Sequence, residues 1–178
     1  KRQKTKITRQ AHQPTVLRSL QMARLRGRAL RGKRCCAAVP HGHWKTMTFT
    51  EELRLTGLTA PFVHDGPMTG RIFQVYVERV LIPTLKPGDI VVMDNLPAHK
   101  LPATQKAIEQ AGAELMFLPP YSPDFNPIEI ACSKLKALLR AKAERTVSAL
   151  WDTFGALLPA FTHSECASFF TAAGYEPD

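Results

Sequence analysis

Four apolar residues between two acids, Asp89-Ile90-Val91-Val92-Met93-Asp94, constrain this chain more than any other stretch. A run without alternation suits a strand buried on both faces. Helical patterns flank it. Upstream, Thr69–Leu85 places Ile72, Phe73, Val75, Tyr76, Val80 and Leu81 largely on one face, until Pro83 bends or ends the helix. Downstream, residues 102–112 read as a helix that opens on Pro102 and stops at Gly112. Glu114–Leu118 is a second buried strand, and Pro119-Pro120-Tyr121-Ser122-Pro123 is a stiff connector. A further helix runs from Asn126 to about Arg145, with one or two more between Thr146 and Ala173. Before all of these, His43–Leu55 alternates weakly around Trp44, Met47 and Phe49, as a strand does, and Ala60–His64 is a short apolar run ending at the turn Asp65-Gly66-Pro67. Strands alternating with helices imply an α/β fold, a sheet with parallel segments and helices on its faces. Function in such folds lies at the C-terminal ends of the strands.

The first acidic residue is Glu51, and 13 lysines and arginines precede it. The rest of the chain has 11 bases against 15 acids. One end is therefore a polycation, which suits a polyanion because neutralised phosphates release counterions. A solvated basic tail is the plainer alternative. Residues 1–21 are basic, polar and aperiodic, and are expected to be disordered or loosely helical. Arg24, Arg26, Arg28, Arg31, Lys33 and Arg34 form a Gly-punctuated basic run and are the candidate DNA-binding residues, since guanidinium forks suit phosphate; a solvated loop is the equal alternative. The four cysteines lack the spacing of a disulfide framework and read as reduced thiols of a cytoplasmic protein. Adjacent Cys35 and Cys36 with His41 and His43 lack the usual zinc spacing. No apolar run approaches the roughly 20 residues that span a bilayer, and no membrane partner is expected. The chain is the size of one domain; because it begins with Lys1, it is expected to be a fragment or to have a trimmed start.

Two carboxylates carry the candidate chemistry. Asp94 ends the most apolar strand, with Asn95 next and His99 shortly after. It could equally be a turn or capping residue. Glu129 sits on the first turn of a helix that Asn126 caps and Pro127 opens. It could equally be the acid of a capping box. Because Glu114–Leu118 is expected to pair near the strand ending in Asp94, both acids can converge at one sheet edge. Hard oxygen ligands without Cys or His suit Mg²⁺ or Mn²⁺. A pair of such ions can activate water and stabilise the leaving oxygen in phosphodiester cleavage.

The run GDIVVMDNLPAHK, the run LPPYSPDFNPIE and the 34 residues between Asp94 and Glu129 together resemble the second and third catalytic acids of mariner-like transposases. MARLRGRALRG from Met22, PHGHWKTMTF, the DGP turn and AAGY are similar to the bacterial insertion-sequence branch, so the resemblance covers roughly residues 22–176. It implies a transposase catalytic domain over residues 22–178: a ribonuclease-H-like mixed sheet with flanking helices, Mg²⁺ (or Mn²⁺) held by Asp94 and Glu129, cleavage and strand transfer of DNA at element ends, and a homo-oligomer when active. The family's first aspartate belongs on a strand just upstream of MARLRGRALRG. Ala11–Gln21 contains no acid, so this strand and its Asp are expected to be missing, as in a truncated copy. Asp65, after an expected edge strand, and Asp124, in the SPDF turn, are poor substitutes. An inactive remnant that binds DNA through charge is the alternative, and an unrelated ribonuclease-H-like nuclease is a weaker one. A chain without the first strand is expected to fold marginally, unless residues 1–21 supply another; Val16 and Leu17 are the only adjacent aliphatic pair available for one.

Overall fold

The computed structural model describes residues 5–7, 11–18, 28–34, 36, 47–120, 122–142, 144 and 146–177. A five-stranded sheet organises them. Its strands are β2 (Ala11–Arg18), β3 (Met47–Arg54), β4 (Gly57–Asp65), β5 (Ile90–Met93) and β6 (Glu114–Phe117), in the order β4-β3-β2-β5-β6. β3 pairs antiparallel with β2 and β4, while β5 pairs parallel with β2 and β6. A separate short pairing joins β1 (Thr5–Ile7) to β7 (Tyr175–Pro177). The mixed α/β sheet expected from the sequence is present.

One expectation is corrected. The sequence implies disorder or loose helix over residues 1–21 and a gap at the first strand, yet β2 occupies the centre of the sheet. The physical reason lies in its neighbours. Without β2, the facing edges of β3 and β5 would leave backbone N–H and C=O groups unpaired in the interior. A strand is defined by its backbone ladder, so a segment lacking apolar alternation can still fill that place. None of the eight residues of β2 is acidic.

The sheet is covered on both faces. On one face Phe49 and Leu53 of β3 pack against α3 (Pro127–Lys142), α4 (Val147–Leu157) and α5 (His163–Ala172), through Ile128, Leu135, Leu139, Phe154, Cys166 and Phe170. The rings of Phe49 and Phe154 lie 4.9 Å apart. On the other, Val91 and Met93 of β5 meet Phe73 and Tyr76 of α1 (Gly70–Tyr76) and Ile108 of α2 (Pro102–Gln110). The helix expected over residues 69–85 is not uniform. After α1 the backbone widens to a π turn over Val77–Leu81 and tightens to a 3₁₀ turn over Ile82–Thr84. Pro83 has no N–H to continue the ladder, and its ring crowds the preceding turn.

The β3–β4 hairpin has a two-residue loop, Leu55-Thr56, between the paired Arg54 and Gly57. Its register shifts between Thr50 and Glu52, leaving one extra residue on β4 beside Glu51. Ala60, in this bulge, has φ +49°, a left-handed conformation that costs a side-chain-bearing residue energy.

Candidate active site

Asp94 follows β5 directly, where the strand gives way to the Leu96 turn and the 3₁₀ turn Pro97–His99. Its Oδ1 accepts a hydrogen bond from the Leu96 N–H at 3.2 Å and lies 2.6 Å from His99 Nδ1. His99 is fully buried, with its ring 4.1 Å from that of Phe73. Its Nε2 has no hydrogen-bond partner among the described residues. Burial alone would raise the Asp94 carboxyl. The contact and charge of His99, together with the Leu96 amide, outweigh it and hold the pKa below the usual carboxylate value. With Oδ1 engaged, Oδ2 is the oxygen left for any other ligand.

Glu129 reaches the same region by another route. Leu118 N donates to Met93 O at 2.8 Å, and Asn95 Nδ2 donates to Leu118 O, so the ends of β5 and β6 are tied together. The Pro119-Pro120 connector then leads to the 3₁₀ turn Pro123–Phe125. Tyr175 Oη donates to Phe125 O at 2.9 Å and anchors that turn from β7. Pro127 opens α3, which puts the exposed Glu129 on its first turn. The connector's rigidity fixes where α3 starts, and therefore where Glu129 stands.

Asp94 and Glu129 line one cavity of about 440 Å³, together with Asn95, Lys100, Ser122 and Asn126. Lys100 is exposed and is the one basic residue of this lining among the described residues; sequence reasoning does not single it out, although it directly follows His99. A neighbouring groove of about 800 Å³ shares Pro123, Asn126 and Glu129 and runs toward Gly174 at the end of α5. Asp124 lines this groove and not the cavity, and Asp65 ends the edge strand β4. Arg28, Arg31, Lys33 and Arg34 are exposed. Arg24, Arg26, Cys35, His41, His43, Trp44 and Tyr121 lie outside the described residues.

Another carboxylate, which sequence reasoning misses, lies near this site in the fold. Glu51 of β3 is fully buried beneath α3, with Oε1 3.6 Å from Cys132 Sγ and Oε2 without a hydrogen-bond partner among the described residues. Burial pushes its carboxyl up to about 8, opposed only in part by Cys132 and by the charge of Lys136. Burial likewise drives the Cys132 thiol far above its usual value, with Glu51 and Glu129 adding to the shift. Both groups are therefore neutral near pH 7. The next residue, Glu52, is also buried but accepts from Arg54 Nε at 3.0 Å and Thr59 Oγ1 at 2.9 Å.

These residues do not make a complete divalent-metal site. Among the described residues no three His, Cys, Asp or Glu side chains are grouped to hold an ion.

A family model of DDE superfamily endonucleases matches residues 16–150. The chain belongs to that family. Its fold is similar to that of the Mos1 transposase catalytic domain solved with Raltegravir and Mn, at 11% identity and a TM-score of 0.60, over 94% of this chain and 84% of that one. It is also similar to the Mos1 transposase paired-end complex with left transposon end, at 15% identity and a TM-score of 0.55, over 94% of this chain and 56% of that one. The DDE chain thus spans little more than half the length of that protein. A simian T-cell lymphotropic virus intasome in complex with the PP2A regulatory subunit B56 gamma matches at 12% identity and a TM-score of 0.59, over 83% of this chain and 47% of that one. At these identities the likeness is one of fold, and it agrees with the ribonuclease-H-like architecture expected from the sequence. None of the curated proteins matches. No described helix is long and apolar enough to cross a membrane.

Proposed function

We propose that this chain is a transposase catalytic domain that binds DNA and, by itself, does not cut it. The observation that carries this reading is the ligand count. Asp94 and Glu129 share a cavity, β2 offers no acid, and no third ligand joins them among the described residues. Two-metal phosphodiester cleavage needs one ion to activate the nucleophile and another to stabilise the leaving oxygen. Two carboxylates, one of them engaged by His99, are a poor holder for that pair of Mg²⁺ or Mn²⁺ ions.

DNA binding is supported separately. The basic N-terminal part of the chain includes the exposed Arg28, Arg31, Lys33 and Arg34, and Lys100 stands at the cavity as a point charge for a phosphate. Fold relatives named as paired-end and strand-transfer complexes make assembly of several copies on DNA the natural setting. An active cleaving and strand-joining enzyme is the second reading, favoured by the family and by the convergence of Asp94 and Glu129.

The two readings part in one experiment. Purified chain is incubated with DNA carrying the ends of an insertion sequence of this family, in Mg²⁺ and in Mn²⁺, and binding and strand cleavage are read in parallel. Binding without cleavage is expected. Cleavage that disappears in Asp94→Asn would overturn the proposal and establish the enzyme.

A further inference from the structure

We propose that the groove beside the Asp94–Glu129 cavity receives a turn from a second copy of this chain. Leu30 of the visiting copy is set against Phe125 and Ile130, and its arginines point toward Asp124 and Glu129. The proposal goes beyond the functional reading above and holds whether or not the DDE chain cuts DNA. It rests on a groove and a knob of matching polarity and opposite charge.

The groove runs between the Pro123–Phe125 turn and the start of α3 on one side and the end of α5 with Gly174 on the other. Tyr175 Oη ties the two walls together through Phe125 O, and the Tyr175 ring meets Phe170 edge-on, so the groove is preformed. A Cβ at Gly174 would meet no atom within 4 Å, so that wall faces open space. Phe125 is 42% exposed and Ile130 is 40% exposed, although both are large and apolar. Ser133 Oγ donates to Glu129 O and Thr171 Oγ1 to Ala167 O, which spends these hydroxyls on their own helices. The charged lining is Asp124 and Glu129, with no base among the described residues. Neither carboxylate has a hydrogen bond or ion pair with a described residue. Such a lining repels phosphate and suits a cationic segment with an apolar tip.

The chain carries a segment of that kind. Lys33 N donates to Leu30 O at 2.8 Å, closing the turn Leu30-Arg31-Gly32-Lys33. Gly32, at φ +81°, supplies the left-handed residue that such a turn needs in third place. Leu30 is 81% exposed, and Arg28, Arg31, Lys33 and Arg34 are exposed around it, their side chains unpaired with any described residue. At that exposure Leu30 is not seated in its own groove, so the occupant comes from another copy. Two copies can exchange turns about a two-fold axis and make two equal contacts. So small an interface places the association in roughly the micromolar range. The contact belongs to the DNA-free protein, because the same bases are the candidate DNA contacts.

The test is sedimentation of the nuclease-treated full chain at low salt, with one partner fluorescently labelled. Wild type is expected to dimerise, and more weakly as salt screens the ion pairs. Asp124→Arg spoils the groove and Leu30→Asp spoils the knob, and each is expected to weaken dimerisation about tenfold or more. Mixed together, the two variants are expected to form a one-to-one pair tighter than either variant with itself, since an intact knob then meets an intact groove. That recovery also requires both variants to be folded. A wild type that stays monomeric well above micromolar concentration, or a dimer that nuclease removes, would overturn the proposal. So would a dimer that persists in either variant, or a mixture that recovers nothing.

Discussion

Glu51→Gln should make the stability of this protein less dependent on pH. The Glu51 carboxyl is moved from 4.5 to about 8 by burial, with one oxygen unpartnered among the described residues and the other against a thiol. The sign follows from which state loses its proton first. Below pH 4.5 the carboxyl is protonated in both folded and unfolded chains and has no effect on the balance. Between 4.5 and about 8 only the unfolded chain ionises, so each pH unit favours unfolding by about 1.4 kcal/mol. The loss reaches about 3 kcal/mol at pH 7 and levels off near 5 kcal/mol above pH 8, against a typical net stability of roughly 5–15 kcal/mol. Glutamine keeps the shape and removes the titration. Urea unfolding of wild type and Glu51→Gln from pH 5 to 9 should show the two stabilities diverging as pH rises, with the variant ahead at alkaline pH. Other titrating groups contribute to both profiles and cancel in the difference. A constant difference between pH 5 and 8 would show that the buried carboxyl is not titrating as argued.

Three further outcomes are expected. Phe49→Ala, which empties a fully buried site against Phe154, should cost about 3–5 kcal/mol in denaturant unfolding; a loss below about 1 kcal/mol would deny Phe49 its central place. Pro14→Val, in the middle of β2, restores one backbone donor to an interior strand and should raise stability by about 1 kcal/mol, measured the same way. Replacing Arg28, Arg31, Lys33 and Arg34 by glutamine should weaken DNA binding at every sequence tested. It should also flatten the dependence of log K on log salt by about 0.9 for each phosphate no longer neutralised, and an unchanged slope would remove these residues from the interface.

The legibility of the fold divides along physical lines. β5, α2 and the start of α3 could be read because single local signals define them: an unbroken apolar run, a proline at a helix opening, a glycine at its end. The positions of Asp94 and Glu129 were legible for the same reason, each being set by the element next to it. β2 was not, because its place is dictated by the edges of β3 and β5, residues far away in the chain. Glu51 and Glu52 were hidden by their charge: acids are ordinarily exposed, and only the packing of α3 over β3 shows that Glu51 is enclosed. The π turn after Tyr76 likewise follows from Pro83 acting at a distance along the helix, which periodicity alone does not resolve.

The strand order also determines how this sheet can assemble. β3 and β4 form a hairpin closed by two residues, and β5 and β6 are joined through α2, so each half can form from neighbouring segments. Among the described strands β2 joins the halves of the sheet, by pairing residues 11 and 12 with residues 90 and 91. Loop-closure entropy opposes such distant pairing until the rest is in place. During synthesis β2 emerges before either partner; β3 can pair with it first, and its other edge stays open while the chain grows to β5. The rate-limiting event in folding is therefore expected to be the closing of this seam, and until it closes, the two halves present open strand edges to any other chain within reach.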